Sequence, residues 1–317
     1  MAGSDLRILF CGDTFPAAAP LLRRRLPAGD EVRIGERPPW ASDGVDVVIP
    51  LMSRVDASVM EAGRPRLIQQ WGAGLDGVDL AAARARGIWV ASVPSSGGNA
   101  DSVAEHAVML MLALLRRLPE ARTSLEARVL GAPMGRMLQS ATVCLYGLGA
   151  IALSLARRLK AFEARLIGIT RDPHAAKVAA YGLDACYSTL ERDAALGQSD
   201  VLVVCTRLVP ETSGLIDARA LAALPKGSLF VNLARGGLVE YAALTEALAS
   251  GHLAGAGLDV FWTEPIDTAD PLLALPNVIA TPHVAGVTDR SYGQIADFVA
   301  GNVERLRRGE PPLNLSP

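Results

Sequence analysis

The chain has 317 residues, half of them apolar and a fifth charged, with a net charge of −2. That length suits two domains with a well-buried core, and the composition is that of an ordinary globular protein. A near-neutral balance lacks the basic excess of a nucleic-acid binder. The four cysteines (Cys11, Cys144, Cys186, Cys205) include no CxxC pair, so they carry no metal signature, fit a reducing, cytoplasmic setting and are expected to be structural.

The N-terminal MAGSDLRILFCGD lacks a charged region ahead of a long apolar run, and reads as a first strand (6–12) rather than a signal peptide. A helix-like APLLRRRL follows. VDVVIPL (45–51), RLIQQWG (66–72) and IWVASVP (88–94) are further short strands, with helical segments such as DLAAARARG between them. PSSGGN is loop chemistry, after which Asp101 or Ser102 is placed to cap a long connecting helix running to about Leu118. Its apolar stretch AVMLMLALL (107–115) is too short to span a bilayer, so no membrane partner is expected. A second strand series comprises TVCLYGLG (142–149), ARLIGITR (164–171), DVLVVCT (200–206), SLFVNLA (228–234), GAGLDVF (255–261) and NVIATP (277–282). A last helix spans roughly Asp289 to Arg308, before the breaker GEPP. This rhythm predicts an α/β fold of parallel sheets covered by helices on both faces. Residues 1–99 plus 287–317 are expected to form one domain, with a dinucleotide-binding domain of residues 100–286 inserted into it.

LYGLGAIA places Gly147, Gly149 and Ala152 at the end of an apolar strand and the start of a helix, the context a dinucleotide loop requires. Gly147 permits the tight turn, Gly149 admits a pyrophosphate, and Ala152 allows close helix–strand packing. Ala150 and Ile151 then open a helix whose free N–H groups face the phosphates. Where an acid would bind the ribose 2′-hydroxyl of NAD, the chain has Thr170 followed by Arg171. A hydroxyl and a guanidinium suit a 2′-phosphate, so NADP(H) is favoured. NAD(H) is accommodated if Asp172 reaches the ribose instead.

Three stretches further on carry ionisable residues in tight settings: VNLARGGLVE around Arg235, LDVFWTEP around Glu264 and ATPHVAG around His283. An Arg, a Glu and a His can bind a carboxylate and move a proton beside it. No pattern in the sequence suggests a metal site.

Taken together, GAGLDGVD (72–79), NADSVAEHA (99–107), GLGAIA (147–152), VPETSGLID (209–217), VNLARGGLV (231–239), LDVFWTEP (258–265) and TPHVAG (281–286) resemble the D-isomer-specific 2-hydroxyacid dehydrogenase family over nearly the whole length. The resemblance implies two doubly wound parallel-sheet domains, a Rossmann-type cofactor domain inserted into a flavodoxin-like substrate domain, with the active site in the cleft and closure around the substrate. It implies that Arg235 holds the carboxylate and carbonyl oxygen of a small 2-oxo acid, that His283 protonates that oxygen, and that Glu264 orients the imidazole. Backbone N–H groups of Ala73, Gly74 and Leu75 are expected to receive the carboxylate, with Leu51 and Ser53 nearby shaping specificity and Trp262 and Tyr292 as further candidates. Thr206, Thr212, Ala234 and Asp259 are implied beside the cofactor. Glu105 and His106 read as domain-interface structure, and His174 and His252 as solvated turn residues. Two positions depart from the family's usual pattern: Glu163 stands for a helix-ending Gly, and Arg207 for a Pro. The loop Pro50-Leu51-Met52-Ser53, with Arg54 next, offers few cations for a phosphorylated substrate, which favours a glyoxylate or hydroxypyruvate reductase. A phosphoglycerate dehydrogenase and a non-catalytic dinucleotide-sensing corepressor of the same fold are the alternatives. A homodimer built from the cofactor domain is also implied, with the 107–115 helix and the arm RTSLEARVLGAP contributing.

Overall fold

The computed structural model describes residues 5–35, 44–96 and 98–316; Met1–Ser4, ahead of the expected first strand, and Gly97 of PSSGGN lie outside them. The chain divides into two compact units, one comprising Met1–Asn99 with Thr288–Pro317 and the other Ala100–Val287.

In the first unit, β1 (Arg7–Phe10), β2 (Glu31–Ile34), β3 (Val47–Ile49), β4 (Leu67–Gln69) and β5 (Trp89–Ala91) pair in parallel in the order β2-β1-β3-β4-β5. That is the flavodoxin-like order, whose switch point lies between β1 and β3. Helices α1 (Ala18–Arg23), α2 (Ala57–Gly63) and α3 (Leu80–Ala85) connect the strands. Asp56 and Asp79 cap α2 and α3 by accepting the N–H groups of Ser58 and Ala82. β2 has no counterpart among the strands expected from sequence because it is an edge strand, EVRI, with no buried residue and therefore no apolar signature.

The second unit opens with α4 (Gly98–Leu115) and α5 (Leu118–Glu126). Its seven strands are β6 (Thr142–Tyr146), β7 (Arg165–Thr170), β8 (Ala185–Ser188), β9 (Val201–Val204), β10 (Ser228–Asn232), β11 (Leu253–Leu258) and β12 (Val278–Ala280). Between them lie α6 (Ala150–Lys160), α7 (Ala175–Tyr181), α8 (Arg192–Leu196), α9 (Ala218–Ala223) and α10 (Tyr241–Ala249). The sheet runs β12-β11-β10-β9-β6-β7-β8, all parallel. Counted from β6, this is the doubly wound dinucleotide order with one added strand, and its switch point falls between β6 and β9. Both faces are covered, as the unbroken apolar strands require: Val143 and Leu145 enter one core cluster, Cys144 and Tyr146 the other. The C-terminal helix α11 (Asp289–Arg307) belongs to the first unit, where buried Asn302 donates to Gln69 at 2.7 Å.

Two helix ends differ from expectation. α4 starts at Gly98, so neither Asp101 nor Ser102 caps it; Asp101 instead accepts from Ser154 (2.6 Å) and Arg158 (3.2 Å). α4 also stops at Leu115, because Arg117 takes a left-handed conformation and Pro119 begins a separate helix. After α6, Glu163 itself adopts φ +56°, the left-handed geometry that glycine takes most cheaply.

Candidate active site

Parallel strands deliver their C-terminal ends to one edge of a sheet, and in the second unit the sequence-predicted residues gather along that edge in strand order. Thr170 ends β7, Gly147 follows β6, Thr206 follows β9, Arg235 follows β10, Asp259 and Glu264 follow β11, and His283 follows β12. Sites of this architecture form there.

The glycine loop is shaped by close approach. A Cβ on Gly147 (φ +99°) would come within 2.7 Å of the Thr206 backbone nitrogen, so only glycine lets the two loops meet. Among the described residues nothing lies within 4 Å of a Cβ built on Gly149, and no side chain caps α6 there. The open cradle and the uncapped helix start at Ala150 and Ile151 fit the pyrophosphate of a dinucleotide. Tyr181, which no sequence motif marks, braces this loop by donating its hydroxyl to Leu148 O at 2.7 Å. At the end of β7 the structure adds a cation next to Thr170: Lys177 Nζ lies 3.5 Å from Thr170 Oγ1 and donates to Asp172 O at 2.7 Å. Arg171 is exposed beside it.

Glu264 and His283 meet directly. His283 Nδ1 is 2.7 Å from Glu264 Oε2, and Phe261 N–H donates to Glu264 Oε1 at 2.9 Å. Burial pushes the Glu264 carboxyl up, but the His283 hydrogen bond and charge, the Phe261 N–H and the nearby Arg235 charge outweigh it, leaving the group below the usual carboxylate range. His283 sits at φ +55°, a strained conformation for a non-glycine residue. Arg235 is held through its backbone, whose carbonyl accepts from Asn232 Nδ2 at 2.9 Å, while Ala234 O accepts Arg235 Nη1 at 2.7 Å. A Cβ on Gly236 would overlap the Phe261 carbonyl carbon, so ARGG and the start of FWTEP pack backbone to backbone.

Other expected residues carry loops. Asp259, 1% exposed, accepts the Thr281 hydroxyl (2.6 Å) and the Val284 and Ala285 N–H groups (2.9 Å each), so it pins the loop bearing His283. The Thr212 hydroxyl closes its own turn by donating to Arg207 O at 2.7 Å. Trp262 donates to Val239 O at 2.6 Å and packs edge-on against Tyr241. His174 and His252 are not merely solvated: His174 caps α7 through Nδ1, and His252 Nε2 lies 3.0 Å from Leu221 O. Burial pushes the Cys11, Cys144 and Cys205 thiols up to about 12, which leaves them protonated at neutral pH. Among the described residues no cluster of His, Cys, Asp and Glu could hold a metal, and no helix is long and apolar enough to cross a membrane.

In the first unit the loops after β3 and β4 are joined by Gln70, a buried side chain that belongs to none of the sequence motifs. Its Nε2 donates to Leu51 O (3.0 Å) and Gly74 O (2.9 Å), and its Oε1 accepts the Trp71 N–H at 2.9 Å. Leu51 is only 5% exposed, and half-buried Ser53 donates its hydroxyl to Cys11 O. Tyr292 is likewise buried, edge-on to Trp71. The N–H groups of Ala73, Gly74 and Leu75 donate to no acceptor among the described residues, as an anion-receiving turn requires.

The profile of the D-isomer specific 2-hydroxyacid dehydrogenase NAD-binding domain matches residues 108–285. The chain is 36% identical over 271 residues to a D-3-phosphoglycerate dehydrogenase of Archaeoglobus fulgidus, covering 84% of this chain and 50% of that protein. It therefore spans about half the length of the first curated relatives it matches. A glyoxylate reductase of Korarchaeum cryptofilum is 34% identical over 281 residues, covering 85% of this chain and 82% of that one. Among solved structures, an NADPH-dependent glyoxylate/hydroxypyruvate reductase from Sinorhizobium meliloti, in complex with NADP and malonate, superimposes with a TM-score of 0.83 at 32% identity, covering 99% of this chain and 97% of that one.

Proposed function

The chain belongs to the D-isomer-specific 2-hydroxyacid dehydrogenase family, and on that premise we propose that it is an NAD(P)-dependent reductase of small 2-oxo acids, close in kind to glyoxylate and hydroxypyruvate reductases. The observation that carries this reading is the 2.7 Å contact between His283 Nδ1 and Glu264 Oε2, with Arg235 at the end of the neighbouring strand. The nicotinamide, when bound, supplies or takes the hydride. Glu264 holds the Nδ1–H side of the imidazole, which leaves Nε2 to give a proton to the carbonyl oxygen or take one from the hydroxyl. Arg235 binds the carboxylate by its planar fork and opposes the charge that develops on the reacting oxygen. Separately, the free N–H groups of residues 73–75 support carboxylate binding by the first unit.

The cofactor is proposed to be NADP(H). Thr170, Arg171 and Lys177 support it, since two cations and a hydroxyl suit a 2′-phosphate better than a ribose diol. The similarity to phosphoglycerate dehydrogenases favours a second reading, a phosphorylated 2-oxo acid as substrate. Against it, Pro50-Leu51-Met52-Ser53 supplies no cation and only Arg54 follows. A homodimer is also proposed: α5 buries none of its side chains, and Leu118, Leu125, Val129, Leu130, Met134 and Met137 are all at least half exposed, which supports a covering partner. Four unpaired cysteines support a cytoplasmic setting.

The test follows NADPH and NADH oxidation with glyoxylate, hydroxypyruvate, pyruvate and 3-phosphohydroxypyruvate. Turnover of the unphosphorylated acids with a higher kcat/KM for NADPH is expected. A preference for the phosphorylated acid would move the protein to the second reading, and no turnover with any of them would defeat both. His283→Ala should lower kcat by about 10²-fold or more while leaving cofactor binding intact.

A further inference from the structure

His106, on α4, is connected to the loop that carries His283. Its Nε2 lies 2.9 Å from Thr281 Oγ1, and Thr281 Oγ1 lies 2.6 Å from Asp259 Oδ1. Asp259 Oδ1 and Oδ2 also take the N–H groups of Val284 and Ala285, at 2.9 Å each. Those contacts bracket His283, whose own N–H points at Asp259 O (2.9 Å) and Thr281 O (3.0 Å) and whose backbone sits at φ +55°. A left-handed non-glycine residue persists only where its surroundings over-determine it, and this network is what surrounds it.

The proton count settles the direction of each bond. A carboxylate only accepts, so the single hydroxyl proton of Thr281 is committed to Asp259. Thr281 Oγ1 can then only accept from the imidazole, which requires a proton on His106 Nε2. Burial lowers the His106 pKa against the opposing pull of Asp259, in keeping with a neutral ring in this position.

We infer that His106 is a positioning residue for the proton-transfer histidine: as a neutral Nε2–H donor to Thr281, it locks the Asp259-centred network that holds the 281–285 loop and presents His283 to Glu264. The inference rests on the acid–base reading of His283.

The tautomer is read directly from the wild-type protein by long-range ¹⁵N–¹H correlation of the imidazoles, with His106→Gln identifying the signal. A neutral Nε2–H ring is expected, and a neutral Nδ1–H ring overturns the inference. In kinetics with NADPH and glyoxylate, His106→Leu should lower kcat about tenfold through misplacement of His283, with the NADPH dissociation constant unchanged in a fluorescence titration. His106→Gln, which keeps an N–H donor of similar reach, should recover activity to within about threefold. Unchanged kcat in His106→Leu, or a Gln variant as impaired as the Leu variant, would also overturn it. If His106→Leu does not fold, the tautomer and the Gln variant still decide. An inactive wild type would defeat the dehydrogenase reading instead, and the tautomer would still test the network independently.

Discussion

Glu264 shows how one residue's setting fixes both its chemistry and its contribution to stability. Its carboxyl lies below the ordinary range in the folded protein, because the bonds and charges around it more than offset the cost of burial. A lowered folded value means that ionised Glu264 stabilises the fold fully above the unfolded value, and that this contribution is lost as pH falls through the folded one. The Tm advantage of wild type over Glu264→Gln should therefore be flat near neutral pH and shrink at acid pH. A gap that stays constant from pH 7 to pH 3 would contradict the assignment. At this scale Arg235, Glu264 and His283 were legible in the sequence as candidates, because each sits in a short, distinctive string. Gln70, Lys177 and Tyr181 were not, since each acts on a loop through the fold and nothing in its sequence neighbours marks it.

Among the elements, strands buried on both faces and strongly apolar helices were legible, whereas β2 and β8 were not. β8, ACYS, has four half-buried residues and β2 none that is buried, so neither displays the apolar run that marks a central strand. Helix ends were harder still. The turn after α6 places Glu163 at φ +56° with its side chain in an exposed bond to Gln139. Relief of left-handed strain, about 1–2 kcal/mol, should exceed the extra unfolded-state freedom of glycine, about 0.5–1 kcal/mol. Glu163→Gly is thus expected to raise Tm by about 1–3 °C. A lowered Tm would mean that the Gln139 contact outweighs the strain.

For the whole molecule, the exposed apolar run from Leu118 to Met137 is the feature that an isolated chain explains least. α5 is nine residues long and buries none of them, so it has little to hold it as a helix without a covering surface. Sedimentation at micromolar concentration should give a dimer for wild type and a monomer for Leu130→Glu combined with Met134→Glu; a monomeric wild type would end the proposal. The apolar runs, glycine spacing and strand rhythm sufficed to determine the α/β class and the dinucleotide loop, because each is encoded within a few neighbouring positions, and short strings around Arg235, Glu264 and His283 marked those three as candidates for the proton chemistry. Tertiary structure alone revealed that Asp259 and Thr281 pin the His283 loop with His106 behind them, that Gln70 ties two loops together, and that Lys177 stands beside Thr170. Those relationships join residues up to 175 positions apart, and strand order, which no local pattern records, is what brings them within hydrogen-bonding reach.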